Sequence, residues 1–541
     1  MNVLACTWED FQSRFAPRQL LHRVVDEWAA RQPGQTAILN ATRGTSMTYG
    51  ELRDRSLAAA RALVRLGFRK GDYFATSLPL TDDHIVFEYA CFRAGVIHVP
   101  LDLRLSRDEL ARALRLVGAR GYATALPHSV SADVPTLETV LDAAALHEFL
   151  QRAGEIPADT PLPDIRPEDG AQVIFTTGST GAPKAALLTH RGIAVQNYCL
   201  GTAFEFEASR VMVHLPPSHV GCQSELLMTT LFWGGTAVTL ELFDPGKTLE
   251  AIERYRVRLL GQIPAMFHME WRHSEYEKRD LGSLEIAVYG GQSVPRPFLE
   301  KLRTMAPRIG TGLGLTETSG FCTYTPVTGD VGRVAASLGH AAPVYPMTIR
   351  EPMREDGSAG AEMPPGEVGH VCFRGPQTFA GYVNDEEATR RTISTDGWLY
   401  TGDMGSVDSE GLHFNGRAKW VIKPAGYQVF PGDVEDYICR LSDRVASCGV
   451  VGVPHPIWVE AIVAFVEKRP GAELTEAELR KHARGLTSYK RPLHYVILEP
   501  GQMPLNRVAK VDALRLKELA LEEVRRLQER GRWAAEDPME E

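Results

Sequence analysis

Apolar residues along this chain follow two alternating patterns, short continuous runs and longer stripes with a helical period. The short runs, which predict buried strands, lie at 73–77, 96–100, 173–176, 211–215, 237–240 and 286–289. The stripes, which predict helices, include those at 51–66, 108–117 and 296–304. Strands that alternate with helices predict an α/β protein with largely parallel sheets.

The pattern changes near Glu367, where short strands begin to alternate with turns. Residues 368–373 and 411–414 predict a β-rich subdomain, and a smaller segment of mixed helices and strands follows it. We therefore predict a large N-terminal domain at 1–416, with parallel-rich sheets flanked by helices plus the β-rich subdomain. A small, mobile α+β C-terminal domain is predicted at 417–541. The stripe at 514–532 predicts a surface helix, with a coiled contact to a partner as the alternative.

Composition narrows the class of protein. The chain has 541 residues, 44% hydrophobic and 23% charged, which is ordinary for a globular protein of two or more domains. The net charge of −9 argues against a nucleic-acid partner. The eight cysteines lack metal-ligand spacing, which predicts buried free thiols in a reducing compartment. Because neither a signal peptide nor an apolar run long enough to span a membrane is found, we expect a cytoplasmic protein without membrane contact.

The segment that follows the strand at 173–176 has the composition of a phosphate-binding loop. Glycines allow backbone N–H groups to approach phosphate oxygens, hydroxyls add donors, and a lysine adds positive charge. It is not a Walker loop, since the GxxxxGK[ST] pattern is absent, and a polar surface loop is the alternative. The candidate ligands are Thr176, Thr177, Gly178, Ser179, Thr180, Gly181 and Lys184.

The loop TTGSTGAPK at 176–184 resembles the signature of the adenylate-forming superfamily, which includes acyl- and aryl-CoA synthetases, peptide-synthetase adenylation domains and luciferases. The family's usual glycine after the lysine is Ala185 here. Further segments resemble family motifs in the same order and spacing, which leaves little room for a chance match. They lie at 48–52, 94–95, 99–102, 215–221, 290–292, 312–317, 400–403, 416–419, 422–429 and 504–510.

The resemblance implies roles in binding ATP and in forming an acyl adenylate. Thr316 and Glu317 are implied beside the α-phosphate, with Glu317 as a Mg²⁺ ligand, since oxygen ligands suit that ion. Lys510 is implied as the catalytic lysine that bridges the carboxylate and the α-phosphate. The remaining ATP contacts are implied for Gly312 and Leu313 beside adenine and for Asp403 and Arg417 beside the ribose. Leu313 replaces the family's usual aromatic residue, so apolar contact is kept but ring stacking is lost.

The resemblance also implies an acid pocket and a path for a thiol. The acid-binding residues are His219, Val220, Gly291 and Gly314. Lys419 matches the hinge about which the C-terminal domain rotates, and Lys423 and Gly426 match the loop that meets coenzyme A. Rotation would withdraw Lys510 and admit the thiol.

Each charged candidate also has an ordinary structural explanation. Asp403 is equally a turn cap, and Glu317 a helix-start carboxylate. Arg417 and Lys510 are equally solvated surface charges, and His219 a hydrogen-bonded histidine. The ordered set of motifs favours the catalytic interpretation.

The substrate is less well indicated. Polar Gln223 and Ser224 beside apolar Val220, Leu226 and Phe321 favour an aromatic or polyketide-like acid with hydroxyls. We expect ATP, Mg²⁺ and coenzyme A as the reaction partners of this small-molecule acid, and an acyl carrier protein is the alternative acceptor. An aryl acid destined for an antibiotic scaffold would fit. A luciferase-like oxygenase and an inactive nucleotide-binding homologue remain alternatives.

Overall fold

The computed structural model describes residues 3–126, 130–176, 183–505 and 511–533. Its α-helices are α1 (Trp8–Phe15), α2 (Leu21–Arg31), α3 (Tyr49–Arg65), α4 (Asp82–Ala94), α5 (Arg107–Val117), α6 (Ala143–Arg152), α7 (His190–Ala203), α8 (Thr229–Phe232), α9 (Pro245–Tyr255), α10 (Pro264–Arg272), α11 (Arg296–Met305), α12 (Val331–Ala336), α13 (Glu386–Thr392), α14 (Pro431–Ile438), α15 (Glu476–Ala483) and α16 (Ala513–Glu529).

Its strands are β1 (Thr36–Asn40), β2 (Thr45–Thr48), β3 (Tyr73–Ser77), β4 (Ile97–Pro100), β5 (Gly121–Thr124), β6 (Thr139–Asp142), β7 (Gly170–Thr176), β8 (Lys184–Thr189), β9 (Arg210–Val213), β10 (Thr236–Thr239), β11 (Leu259–Gln262), β12 (Ile286–Tyr289), β13 (Arg308–Gly310), β14 (Gly314–Leu315), β15 (Gly320–Phe321), β16 (Met347–Arg350), β17 (Gly369–Phe373), β18 (Gly381–Tyr382), β19 (Leu399–Asp408), β20 (Gly411–Arg417), β21 (Val445–His455), β22 (Val459–Lys468) and β23 (His494–Leu498).

Two mixed sheets form the larger part of the molecule. The first has the order β13-β12-β11-β9-β10-β1-β2, and its neighbours are parallel except β1 and β2. The carboxyl ends of its parallel strands share one edge, where open α/β sheets usually bind ligands. The loops that follow β9, β12 and β13 therefore lie at this edge, and they carry the predicted acid-binding residues.

The second sheet carries the predicted phosphate loop. Its order is β18-β8-β7-β4-β3-β5-β6, with parallel pairing from β7 through β6. Strands β7 and β8 form an antiparallel hairpin, and β18 adds to its outer edge in antiparallel register. This pairing brings residues 381–382 beside β8, almost two hundred positions earlier in the chain.

Two smaller sheets follow. Strands β16-β17-β19-β20 form the predicted β-rich subdomain and are antiparallel throughout. Strands β21-β22-β23 form the C-terminal sheet. Alternate residues of β22 contact α14 and α15 on one face and α16 on the other. Period-two alternation of this kind is what a strand buried on both faces requires.

Sequence signals account for where several helices begin and end. Thr48 and Glu51 form a reciprocal capping box at the start of α3, and Ser106 and Glu109 do the same for α5. Gly95 ends α4 with a φ of 68°, a left-handed conformation that glycine adopts without strain.

The predicted α/β fold class is confirmed. Each strand and helix predicted above overlaps an observed element, and β3 and β12 match the predicted bounds. The stripe at 514–532 forms α16, whose buried Leu516, Ala520 and Val524 pack on the C-terminal sheet, so this face is covered by the chain itself. The domain division at residue 416 and the mobility of the C-terminal domain stay predictions.

Other sequence expectations concern thiols and membranes. The cysteines are free, and all but the partly exposed Cys439 are buried. Among the described residues, no helix is long and apolar enough to cross a bilayer.

A buried polar network lies between α4 and the second sheet. Gln172 donates a hydrogen bond to Glu88 Oε1 at 2.8 Å, and His98 Nδ1 lies 3.2 Å from the same oxygen. Thr76 joins His98 to His84, with distances of 2.9 and 3.0 Å to their Nε2 atoms. Burial raises the pKa of Glu88 to about 8 and lowers that of His98 to about 3. The network is therefore neutral at physiological pH.

Glu88→Gln is expected to change how the free energy of unfolding depends on pH. The folded pKa of Glu88 lies above its ordinary value of 4.5, so the wild type loses stability as pH rises from 4.5 through 8. Glutamine does not titrate, so the variant lacks that loss. Between pH 5 and pH 8, the free energy of unfolding should fall by about 2–4 kcal/mol less in the variant than in the wild type. Urea unfolding at several pH values measures this difference, and parallel curves for the two proteins would contradict it.

Candidate active site

The two ends of the predicted phosphate loop are joined by a strand pair. Thr176 is the last residue of β7, Lys184 is the first of β8, and the two are direct partners in the antiparallel ladder. The hairpin therefore holds Thr176 and Lys184 side by side at one end of β7 and β8. Five of the predicted phosphate ligands, Thr177, Gly178, Ser179, Thr180 and Gly181, lie outside the described residues and stay predictions.

Lys184 and Glu317 are connected through Tyr382. The Lys184 ammonium lies 4.7 Å from the centre of the Tyr382 ring, a cation–π distance. The Tyr382 hydroxyl donates a hydrogen bond to Glu317 Oε1 at 2.6 Å. Burial and the nearby Glu317 charge raise the pKa of Tyr382, so its hydroxyl stays a donor. Tyr382 thus contacts both Lys184, a cation of the predicted phosphate loop, and Glu317, the predicted Mg²⁺ ligand.

A short 3₁₀ turn, Thr316–Thr318, positions Thr316 and Glu317. Gln377 is buried and donates from Nε2 to the carbonyl oxygens of Thr318 and Phe321, at 2.8 and 2.6 Å. The Phe379 N–H donates to the Glu317 carbonyl oxygen at 3.0 Å. These hydrogen bonds from the segment 377–382 therefore hold the turn in place.

Sequence reasoning missed Gln377 and Tyr382. Neither belongs to a motif with distinctive chemistry, and the short strand β18 has no period to detect. The pairing of β18 with β8 is what brings Tyr382 beside Lys184.

Asp403 and Arg417 form a second charged pair. They are opposite each other in the antiparallel ladder of β19 and β20, and Arg417 Nε lies 2.9 Å from Asp403 Oδ1. Asp403 is only 1% exposed, whereas the Arg417 side chain is 49% exposed. Arg417 Nη1 also donates to the Thr401 carbonyl oxygen at 3.2 Å. A carboxylate has two acceptor oxygens, which the predicted contact with both ribose hydroxyls requires.

The predicted acid-binding glycine loops meet around Phe321. A methyl group placed on Gly290 would lie 2.9 Å from the Phe321 ring, and one on Gly312 would also lie 2.9 Å from it. A methyl group on Gly314 would lie 3.2 Å from the Phe321 backbone. Gly291 follows with a φ of 88°, which suits glycine. The structure thus brings Gly290, which precedes Gly291, close to Phe321 together with Gly312 and Gly314. Leu313 is half-buried against the core between the last two.

The segment after His219 and Val220 is a π-helix, Gly221–Met228. Helices of this kind are rare and are frequently found at functional sites. Ser224 donates to the Ser319 carbonyl oxygen at 2.7 Å, so its hydroxyl supports the backbone. Glu225, which sequence reasoning overlooked, lies beside Gly314 and Gly320. Burial raises the pKa of its carboxyl to about 7.

The predicted hinge and thiol loop lie just after β20. Lys419 is in a 3₁₀ turn, Ala418–Trp420, with its ammonium 4.6 Å from the centre of the Trp420 ring. The Lys423 N–H donates to Glu460 at 2.7 Å, and Gly426 ends the turn Pro424–Gly426. Lys510 lies outside the described residues, so its place relative to the site stays a prediction.

The donor set at Glu317 is compatible with Mg²⁺. The ion is usually held by one or two carboxylates together with substrate phosphates and water. In the described part of the chain, no group of three or more His, Cys, Asp or Glu side chains is placed to hold a metal ion.

Comparisons with known proteins decide the family. A family model described as AMP-binding enzyme matches residues 25–383, and one described as AMP-binding enzyme C-terminal domain matches 433–510. The chain belongs to the AMP-binding enzyme family. A feruloyl-CoA synthase from an Amycolatopsis species is 32% identical over 472 residues, 86% of this chain and 92% of that protein. The 4-coumarate–CoA ligase 2 of Oryza sativa subsp. japonica is 28% identical over 512 residues, 88% of each chain.

Solved structures of similar proteins agree with the AMP-binding fold. ATP-bound MatB from Rhodopseudomonas palustris has a TM-score of 0.82 at 25% identity, covering 93% of this chain and 98% of that one. The amide bond synthetase McbA from Marinactinospora thermotolerans has a TM-score of 0.79 at 28% identity, covering 93% and 100%. The predictions of an adenylate-forming superfamily member and an AMP-forming acid–thiol ligase are confirmed. The individual site residues stay predictions.

Proposed function

We propose that this chain is an ATP-dependent carboxylic acid–CoA ligase that acts on an aromatic or polyketide-derived acid. The observation that carries the proposal is the chain of contacts from Lys184 through Tyr382 to Glu317, which puts a cation and an oxygen ligand at one place. Feruloyl-CoA synthase and 4-coumarate–CoA ligase, both named for aryl acids, are among the relatives and support the choice of substrate.

The first step joins two anions, a carboxylate and ATP, and their repulsion explains why the predicted site needs positive charge. A carboxylate oxygen attacks the α-phosphorus of ATP, the bond to the bridging oxygen breaks, and pyrophosphate leaves with its electron pair. Lys184 and Glu317-bound Mg²⁺ would reduce the charge on the phosphates, while Asp403 and Arg417 would hold the ribose. Lys510 would bridge the incoming carboxylate and the α-phosphate.

The second step needs a different arrangement. The thiol sulfur of CoA attacks the acyl carbon, AMP leaves, and the thiol proton is released. The thiol must approach where Lys510 stood, so the C-terminal domain would rotate about Lys419 and present Lys423 and Gly426.

A panel of acids tests the proposal. The full chain is incubated with ATP, Mg²⁺ and CoA together with aryl, short-chain and long-chain acids, and AMP release and product mass are measured. We expect AMP and a CoA thioester with aryl acids. Exclusive use of long-chain acids would discard the aryl substrate.

The same panel separates the other functions. A thioester formed only when CoA is replaced by an acyl carrier protein would indicate a loading enzyme. Oxygen-dependent products would indicate a luciferase-like reaction, and no AMP with any acid would indicate an inactive homologue. An amide formed with added amines would match the chemistry for which McbA is named.

Lys419→Pro is expected to separate the two steps. Proline restricts φ at the predicted hinge, so ATP–pyrophosphate exchange should stay within about threefold of wild type while thioester formation falls at least about tenfold. Lys419→Ala is the matched control, because it removes the charge without restricting the backbone. Equal loss of both steps in the proline variant would contradict the hinge assignment.

A further inference from the structure

A cavity of about 250 Å³ lies between α2, the end of α4 and the segment 162–165. This segment runs into the amino end of β7, whereas the predicted phosphate loop follows the carboxyl end, roughly 20 Å away for a strand of this length. A methyl group placed on Gly95 would lie 2.7 Å from Ile165 Cδ1, so the segment packs closely against the end of α4. The cavity is therefore separate from the candidate active site, and its volume suits a small organic molecule.

The start of α2 faces this cavity with a charge that a helix start does not favour. Leu20, His22 and Arg23, from the N-cap and the first turn, line the cavity. In the described part of the chain, no side chain caps α2 and its first turn holds no acidic residue. The positive end of the helix dipole instead meets the positive charge of Arg23. An anion bound here would relieve this repulsion, because helix N-termini attract anions.

Two arginines line this cavity with unused hydrogen-bond donors. Arg93 is only 5% exposed, and it donates from Nε to Ser56 Oγ at 2.9 Å and from Nη2 to Asp26 Oδ1 at 2.6 Å. Within the described residues, the two N–H groups on its Nη1 have no hydrogen-bond partner. Arg23 is exposed, and its side chain forms neither an ion pair nor a hydrogen bond with any residue that the structure describes. Guanidinium N–H groups match the geometry of carboxylate oxygens, so both arginines are suited to bind a carboxylate.

The electric field near His22 is positive. This residue is 9% exposed, and its Nδ1 has no hydrogen-bond partner among the described residues. Burial lowers the pKa of His22 to about 2, and the charges of Arg93 and Arg23 add to this shift, so the ring is neutral. Of the two aspartates at the cavity, Asp26 is paired with Arg93, and Asp164 is exposed to solvent that screens its charge. The cavity therefore favours an anion over a cation.

We propose that this cavity binds a small organic carboxylate, with its oxygens at Arg23 and at Nη1 of Arg93 and its body against Leu162 and Ile165. Both of these apolar side chains line the cavity, and they offer a contact that an inorganic anion cannot use. The site is additional to the predicted acid pocket, so the inference does not depend on the proposed function. The ligand is either the acid that the enzyme activates or a different acid, and binding experiments separate these two sources.

The probe 4-bromobenzoate tests the inference, because anomalous X-ray scattering locates its bromine. In crystals of the full chain soaked with this acid, we expect bromine in the cavity, whether or not the acid pocket is also occupied. In solution, calorimetry compares the wild type with Arg23→Ala, and any difference reports the cavity because the acid pocket is the same in both proteins. Arg23→Ala should raise the Kd of this site about ten- to hundredfold, the range for a hydrogen bond to a charged group.

Two controls accompany this measurement. Arg112→Ala removes an exposed arginine of α5 away from the cavity and should keep the wild-type Kd. The neutral amide 4-bromobenzamide has the same shape as the acid and should not bind in the cavity. Absence of bromine from the cavity, an unchanged Kd in Arg23→Ala, or equal binding of the amide there would overturn the inference.

The panel of acids used for the proposed function identifies the source of the ligand. Binding that depends on Arg23 for an acid that also releases AMP would show that the enzyme holds its own substrate at this second site. Such binding only for acids that release no AMP would show that the ligand is a different acid. If no acid releases AMP, the proposed function is wrong, and binding in the cavity would still support this inference.

Discussion

Lys510→Ala is expected to lower ATP–pyrophosphate exchange by about 10²–10³-fold, the usual effect of removing one preorganised charge contact in a transition state. The reason is the repulsion between a carboxylate and a triphosphate, which a single mobile ammonium would relieve at the point of bond formation. Thioester formation from a preformed acyl adenylate should stay largely intact, because the predicted domain rotation withdraws the lysine before that step.

The control for this experiment is Lys481→Ala. Lys481 is an exposed lysine of α15 in the same C-terminal segment, so its loss removes the same charge away from the predicted site. Exchange by this variant should match wild type. Wild-type exchange by the Lys510 variant would show that another group bridges the two anions.

Asp403→Asn is expected to raise the KM for ATP by about 10- to 100-fold, since a hydrogen bond to a charged group contributes about 1.5–3 kcal/mol. Asparagine has nearly the same shape, so the strand pairing with Arg417 should persist. The Arg417 guanidinium is half exposed and can be solvated, which limits any cost to folding. ATP titrations at saturating acid measure KM, and thermal unfolding confirms that the variant is folded.

Asp408→Asn is the matched control. Asp408 is the last residue of the same strand and pairs with His413 at 2.9 Å, in an exposed position. Its loss should leave the KM for ATP unchanged. If the two variants behave alike, Asp403 has a structural role and the ribose assignment is wrong.

Some contacts connect residues far apart in sequence and could not be read from it. Tyr382 joins Lys184 to Glu317 only because β18 pairs with β8. Glu225 reaches Gly314 and Gly320 because a π-helix and a returning loop meet at one sheet edge. Neither residue has a local pattern of hydrophobicity or spacing that distinguishes it from an ordinary surface or core residue.

The elements themselves were predictable, because local physics sets them. Continuous apolar runs specify the buried parallel strands such as β3 and β12, and capping residues such as Thr48 specify where helices begin. The motifs that named the family are also local, since a phosphate loop needs its glycines and hydroxyls to be adjacent.

What the sequence determined by itself was therefore the fold class, the family and the residue types that could handle phosphate and acid. What only the tertiary structure decided was which of those residues meet, and which unremarkable neighbours join them. The physical reason is that burial and hydrogen-bond partners depend on how strands from distant segments pair. Periodicity within one segment carries no information about that pairing.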